Sequence, residues 1–234
     1  MLELKNVSKN YFEGNTKHSV LSNFELSISK GEIIILLGKS GSGKSTLLNI
    51  ISGIDVPDGG SVSIDGTDIT KLSEKERTLT RRNKIGFIFQ FFNLIPTLTV
   101  KENLQLPLEL NNDDNQEERI KSILTEVGLL DRANTYPDKL SGGEQQRIAI
   151  ARALIHNPDI ILADEPTGNL DPGLSEEILN VLKTINQEHQ TTVVMVTHSP
   201  LAAEYGKTKI RLQNGKLNSF DSTRNLIHEK ILTN

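Results

Sequence analysis

Eight residues constrain this chain more than any others: Gly38-Lys39-Ser40-Gly41-Ser42-Gly43-Lys44-Ser45, a G-x-x-x-x-G-K-S run. Five apolar residues, Ile33 to Leu37, feed into it, and a segment with helical spacing, Lys44 to Ile51, leaves it. A buried strand, a glycine loop and a helix, in that order, form a device for holding phosphate. Glycine lacks a Cβ, so the loop's amides can turn inward and approach anionic oxygens without a clash. The helix adds the positive end of its dipole to the same place. Lys44 offers a point charge to the β and γ phosphates, and Ser45 a hydroxyl to Mg²⁺. The expected nucleotide cradle is therefore Gly38, Lys39, Ser40, Gly41, Ser42, Gly43, Lys44 and Ser45, with Thr46 adjoining.

A second acidic motif lies downstream. Ile160-Ile161-Leu162-Ala163 is an apolar run that ends in Asp164-Glu165. Two carboxylates at the end of an apolar strand are costly unless a cation faces them. Asp164 is expected at the end of a strand lying beside the Ile33–Leu37 strand, where it can hold Mg²⁺ through the ion's water shell. Glu165 is then placed to orient and polarise a water that attacks the γ phosphate.

The rest of the pattern frames these motifs. Leu2 to Val7 and Val20 to Ile28 read as strands, as do Ile85 to Phe89, Ile160 to Ala163 and Thr192 to Val196. Val62 to Ile64 with Asp65-Gly66 reads as strand and turn, and Ile210 to Phe220, turning at Asn214-Gly215, as a late hairpin. From Val100 to His156 the spacing is helical, most clearly over Glu117–Val127, and Leu174 to Glu188 is a further helix. Asn111 to Glu118 reads as an exposed loop leading into a helix. Short buried strands alternating with helices predict an α/β fold with a mainly parallel core sheet and an inserted helical region. The expected organisation is a single domain over 1–234, with the inserted helical subdomain at about 91–157.

Composition excludes several classes. The 234 residues hold 26 basic and 30 acidic side chains, a formal charge of −4, so nothing global favours nucleic acid. One basic stretch, Lys75 to Lys84, has no aromatics to stack bases and reads as a solvated helix face. No run approaches the roughly 18 apolar residues of a membrane span, and the start, MLELKNVSKN, lacks a signal peptide's pattern. There is no cysteine for a disulfide, thiolate metal site or nucleophile. The expectation is a cytoplasmic protein that reaches a membrane only through a partner.

Between the two phosphate-related motifs stands Leu140-Ser141-Gly142-Gly143-Glu144-Gln145-Gln146-Arg147. This run resembles the signature of ABC-type ATPases, and the resemblance covers essentially the whole chain. It implies an ATP-hydrolysing cassette that uses ATP and Mg²⁺. Ser141, Gly142, Gly143 and Glu144 would open a second anion-binding helix and cap the γ phosphate held by another copy, in a head-to-tail ATP-dependent homodimer. The resemblance carries further roles. Tyr11 matches the aromatic that stacks on adenine, with Val20 packing nearby. Gln90 matches the glutamine that touches Mg²⁺ and the attacking water. Asn169-Leu170-Asp171 matches the loop crossing the dimer interface, with Asp171 its charged member. His198 matches the switch histidine at the γ phosphate. The implied catalytic set is Glu165, His198, Gln90 and Lys44, and the implied metal set Ser45, Gln90 and Asp164. Ser199-Pro200 departs from the family, in which an acidic residue commonly follows the histidine.

DEPTGNLD at 164–171 and FQFFNLIPTLTVKENLQLPL at 89–108 resemble the lipoprotein-releasing, macrolide-exporting and antimicrobial-peptide-resistance branch. The implied partner is an integral membrane permease, and the implied place is the inner face of the cell membrane. The implied work is export or extraction of a lipophilic, lipoprotein or peptide substrate, or signalling through a membrane partner to an extracytoplasmic enzyme. Phe91, Phe92, Leu94, Ile95 and Pro96 form an apolar cluster, open to two readings: a groove for the permease, or core of the helical region.

Overall fold

The computed structural model describes residues 1–213 and 215–220. Two sheets face each other across one of two apolar cores. The first sheet is antiparallel, in the order β2-β1-β4-β5, built from β1 (Leu2–Glu13), β2 (Thr16–Ile28), β4 (Gly59–Ile64) and β5 (Thr67–Asp68). The second, in the order β10-β9-β3-β8-β7-β6, contains β3 (Ile33–Leu37), β6 (Ile85–Ile88), β7 (Ile160–Asp164), β8 (Thr192–Thr197), β9 (Thr208–Gln213) and β10 (Lys216–Phe220). Its five inner pairings are parallel except β9–β10, which is antiparallel.

The wholly apolar β3 is explained by burial on both faces. Ile34 and Leu36 point into one core with Leu162, Val194 and Val196, against the first sheet and α1 (Lys44–Ile51). Ile35 points into the other with Ile161, Ala163, Val193 and Met195. That second core is closed by α3 (Val100–Leu110), α4 (Gln116–Glu126), α5 (Gly142–Leu154) and α6 (Pro172–His189). Gly86 in β6 is required by this packing, because a Cβ there would run into the Ala153 carbonyl of α5. α2 (Glu74–Lys84) buries no residue. Its Arg77 and Arg81 are spent locally, on the carbonyls of Leu72 and Gly53 and on Glu74. α7 (Pro200–Ala203) is a single turn capped by Ser199, whose hydroxyl accepts from the Ala202 amide. That cap gives the Ser199-Pro200 departure a local structural role.

Three sequence expectations shift. The first two strands run farther than Val7 and start earlier than Val20: they form one long hairpin in which Tyr11 pairs with His18 and Glu13 with Thr16. The bulges at Asn6 and Asn23, both at positive φ, break the alternation that would have revealed it. The helix expected over Glu117–Val127 runs Gln116–Glu126, so its first turn takes up the end of the stretch Asn111–Glu118 expected to be loop. β7 is not the neighbour of β3, because β8 lies between them. Asn214 and the tail 221–234 lie outside the described residues.

Candidate nucleotide site

Local sequence explains why α1 starts as it does. Four helices are closed by their own side chains: Ser73 caps α2, Thr99 caps α3, Ser141 caps α5 and Asp171 caps α6, whereas α1 and α4 have no side-chain cap. α1 has Gly43 at its cap, at φ 98°, and no side-chain cap. Its first amides are therefore left for an outside acceptor. Only glycine suits this position, since a Cβ would lie 2.8 Å from Val20 Cγ1 and the left-handed φ would be strained. Lys44 Nζ donates to the carbonyls of Gly38 (2.8 Å) and Lys39 (3.0 Å), so the ammonium lies along the loop it would serve.

The acidic pair comes to this helix although β7 is one strand removed from β3. α1 crosses over the sheet, and Ser45 Oγ donates to Asp164 Oδ2 at 3.1 Å. Burial pushes the Asp164 carboxyl above its ordinary value, against the Ser45 hydrogen bond, and the neighbouring Glu165 charge adds to the rise. A half-buried, unfavourably charged carboxylate beside a hydroxyl is a hard-oxygen pair suited to Mg²⁺, whose oxygen ligands at about 2.1 Å place neighbouring donors about 3 Å apart. Ser45 and Asp164 therefore fit that ion.

Glu165 takes φ +50°, outside the strand that precedes it, and is 9% exposed. Its carboxylate accepts from Thr197 Oγ1 (3.1 Å) and from the His198 amide (3.3 Å), and lies 2.6 Å from His198 Nδ1. The His198 ring is otherwise largely in solvent. Strand β8 therefore fixes the glutamate with Thr197 while the next residue, His198, presents an exposed imidazole beside it.

Gln90 follows β6, and its amide donates to Asn169 Oδ1 (3.1 Å), while Asn169 Nδ2 donates back to the Gln90 carbonyl (3.0 Å). Asp171 is the N-cap of α6, accepting from the Leu174 amide. Tyr11 is 42% exposed on the β1–β2 hairpin.

A cavity of about 880 Å³ gathers these groups. Its walls include Tyr11, Val20, the loop residues Gly38, Lys39, Ser40, Gly41 and Gly43, and Lys44, Ser45 and Thr46. Gln90, Asp164, Glu165 and His198 complete the side where chemistry would occur. Ser42 does not line it: its hydroxyl is buried behind the loop, against Gly38. Among the described residues, Ser141, Gly142, Gly143, Glu144 and Asp171 also lie off this cavity. Ser141 is exposed at the start of α5, where its hydroxyl accepts from the Glu144 amide (3.3 Å) and Glu144 Oε2 accepts from the Ser141 amide (2.8 Å).

Several positioning contacts carry no sequence signal of their own. The fully buried Gln146 donates to the Pro166 carbonyl at 2.6 Å, joining α5 to the loop after Glu165. Thr197 was hidden in an apolar strand. Arg152 donates to the carbonyls of Phe92 and Asn93, fixing the segment after Gln90. In that segment the apolar cluster divides. Leu94 packs on the core and Phe92 is half-buried, whereas Phe91 and Ile95 are exposed, at 69% and 39%.

The chain and its architecture have close counterparts. A family described as ABC transporter matches residues 21–168. The bacitracin export ATP-binding protein of Halalkalibacterium halodurans is 43% identical over 93% of this chain and 87% of its own length. The macrolide export ATP-binding/permease protein of Syntrophobacter fumaroxidans is 42% identical over 92% of this chain, which spans 31% of that longer protein. In structure, the ATP-binding cassette MJ0796 of Methanocaldococcus jannaschii superposes with a TM-score of 0.85, at 45% identity over 94% of this chain and 98% of its own. That neighbour is a dimer in a post-hydrolysis state, bound to ADP and phosphate. The strand–loop–helix cradle, the acidic strand end and these matches together make the chain a member of the ABC transporter ATP-binding family, an ATPase of the branch that includes macrolide and antimicrobial-peptide exporters.

Proposed function

We propose that the chain is the ATP-hydrolysing subunit of an exporter, a single ATP-binding domain with 91–157 as its inserted helical region, that closes on ATP as a homodimer and drives a separate membrane permease. One observation carries the reading: Ser45, Asp164, Glu165 and His198 converge on the uncapped start of α1 in a single cavity. Lys44 and the loop amides bind the phosphates, and Tyr11, beside Val20, takes the base. Ser45, Asp164 and Gln90 hold Mg²⁺, which when bound offsets the charge that develops on the phosphates. Glu165 orients and polarises the attacking water, and His198 contacts the γ phosphate.

Ser141, Gly142, Gly143 and Glu144 act on the nucleotide of the second copy, and Asp171 lies at the same interface. The reading is supported by the position of α5 off the chain's own cavity and by the dimeric state of MJ0796. Nucleotide must bind the closed pair better than the open one for closure to do work. Phe91 and Ile95 are the side chains offered to the permease. Export is favoured over signalling by relatives named for bacitracin and macrolide export. No helix among the described residues is long and apolar enough to cross a membrane, consistent with a cytoplasmic subunit held at the inner face by its partner.

The test is reconstitution. The purified chain should hydrolyse ATP only with Mg²⁺. It should sediment with vesicles only when its permease partner is present in them, and be released by alkaline wash. Mg²⁺-independent hydrolysis, or equal binding to protein-free vesicles, would contradict the proposal.

A further inference from the structure

The hairpin that carries Tyr11 is poorly anchored by apolar packing. Its root buries Leu2, Leu4, Val7, Leu21 and Phe24, but from Asn10 outward every residue is half-buried or exposed. A half-exposed tyrosine on such a tip would be free to change rotamer. Here it is tied down. Tyr11 Oη donates to Asp55 Oδ2 at 2.7 Å. The other oxygen of Asp55 accepts from Lys9 Nζ (2.6 Å) and from the Val56 amide (2.8 Å), and Lys9 also donates to the Val56 carbonyl (2.8 Å). Lys9 is 9% exposed, a burial that a charge sustains only when it is paired. Its ammonium lies 5.3 Å from the centre of the Tyr11 ring, within cation–π range.

Asp55 follows α1, and its amide donates to the Asn49 carbonyl within that helix. Tyr11 is thus fastened to one end of the helix whose other end is the phosphate cradle. The distance from ring to cradle is set by a rigid element rather than by the loose hairpin. Burial pushes the Tyr11 hydroxyl up, and its hydrogen bond to Asp55 adds to the rise, so it remains a donor. Burial works against the Asp55 charge, but Lys9, Tyr11 and the Val56 amide outweigh it and hold the carboxyl below its ordinary value, so it remains an acceptor.

We propose that Asp55 and Lys9 are positioning residues: they lock Tyr11, with the ammonium on one face of the ring, as a preset platform that offers the other face to the nucleotide's base. This rests on the nucleotide reading above. The lock converts a flexible contact into a prepaid one, which strengthens base binding without touching the phosphates.

Calorimetry with Mg²⁺ on the full chain separates base from phosphate, using ATP and inorganic tripolyphosphate as the two probes. Tyr11→Ala removes the platform and should weaken ATP about tenfold or more. Tyr11→Phe keeps the ring and disturbs no buried charge, and Asp55→Ala removes the anchor. Each should weaken ATP by about threefold to tenfold, raise KM with kcat unchanged, and leave tripolyphosphate affinity as in the wild type. If Tyr11→Ala weakens ATP while Tyr11→Phe and Asp55→Ala bind it normally, the lock is refuted and the platform stands. If Asp55→Ala weakens both probes equally, its role is only structural and the proposal is overturned. If Tyr11→Ala itself binds ATP normally, the base site is elsewhere and the underlying reading fails with it.

Discussion

On the proposed function the first turns of α1 and α5 both face a phosphate, yet they are finished differently. α1 opens with a left-handed glycine, no side-chain cap and a lysine, beside a half-buried aspartate and a buried glutamate. α5 opens with Ser141 and Glu144 in a capping box, and Arg132 Nε holds Glu144 at 3.1 Å. A capping box satisfies two of a helix's orphan amides and leaves the others. α1 leaves its first amides without a side-chain cap, inside the cavity that also holds Asp164, Glu165 and His198. α5 is capped by its own side chains and lies off that cavity, so on the same reading it arrives preformed, with its remaining amides open, at another chain's nucleotide. On the proposed function one end is a binding site and the other is half of one.

Substitutions separate these roles, in descending order of effect. Glu165→Gln keeps the size and packing of the side chain but removes the base; steady-state turnover should fall about a thousandfold, with ATP still bound. A turnover within a few-fold of wild type would remove Glu165 from its role. Lys44→Ala deletes a charged donor from α1, worth about 1.5–3 kcal/mol, so the ATP dissociation constant from calorimetry should rise about ten- to hundredfold. Ser141→Ala should cut turnover more than about tenfold while leaving ATP affinity unchanged, and the lost cap should cost about 1 kcal/mol in denaturant unfolding. Weakened ATP binding by isolated Ser141→Ala chains would erase the distinction between the two helices. Asp164→Asn should impair Mg²⁺-dependent hydrolysis yet raise rather than lower the Tm of the ligand-free protein, because burial disfavours its charge. Phe91→Ala should leave ATP binding and stability unchanged and reduce only recovery with the permease.

The α1 region is the more legible in sequence. Its motif is contiguous, its strand is doubly buried and its helix bounds are those expected, Lys44–Ile51. The α5 start is also contiguous, at Ser141–Glu144. What sequence does not show is what crosses space. The Ser45–Asp164 contact joins positions 119 apart, and adjacency of their strands was the wrong reason to expect it: the crossover of α1, not sheet order, makes it. Thr197 reads as one more residue of an apolar strand, although its hydroxyl orients Glu165. Lys9 and Asp55 lie in segments without periodicity, and only the folded hairpin brings them to Tyr11. The apolar cluster at 91–96 alternates between inside and outside because its irregular backbone, with Asn93 at φ 51°, has no repeat to read.

The central claim is that each α5 start serves a nucleotide bound by a second copy. Light scattering of Glu165→Gln with saturating Mg²⁺ and ATP tests it most directly. The account predicts a dimer that forms with ATP, is absent with ADP, and is lost when Ser141→Ala is added. A variant that binds ATP and stays a single chain under those conditions would contradict it.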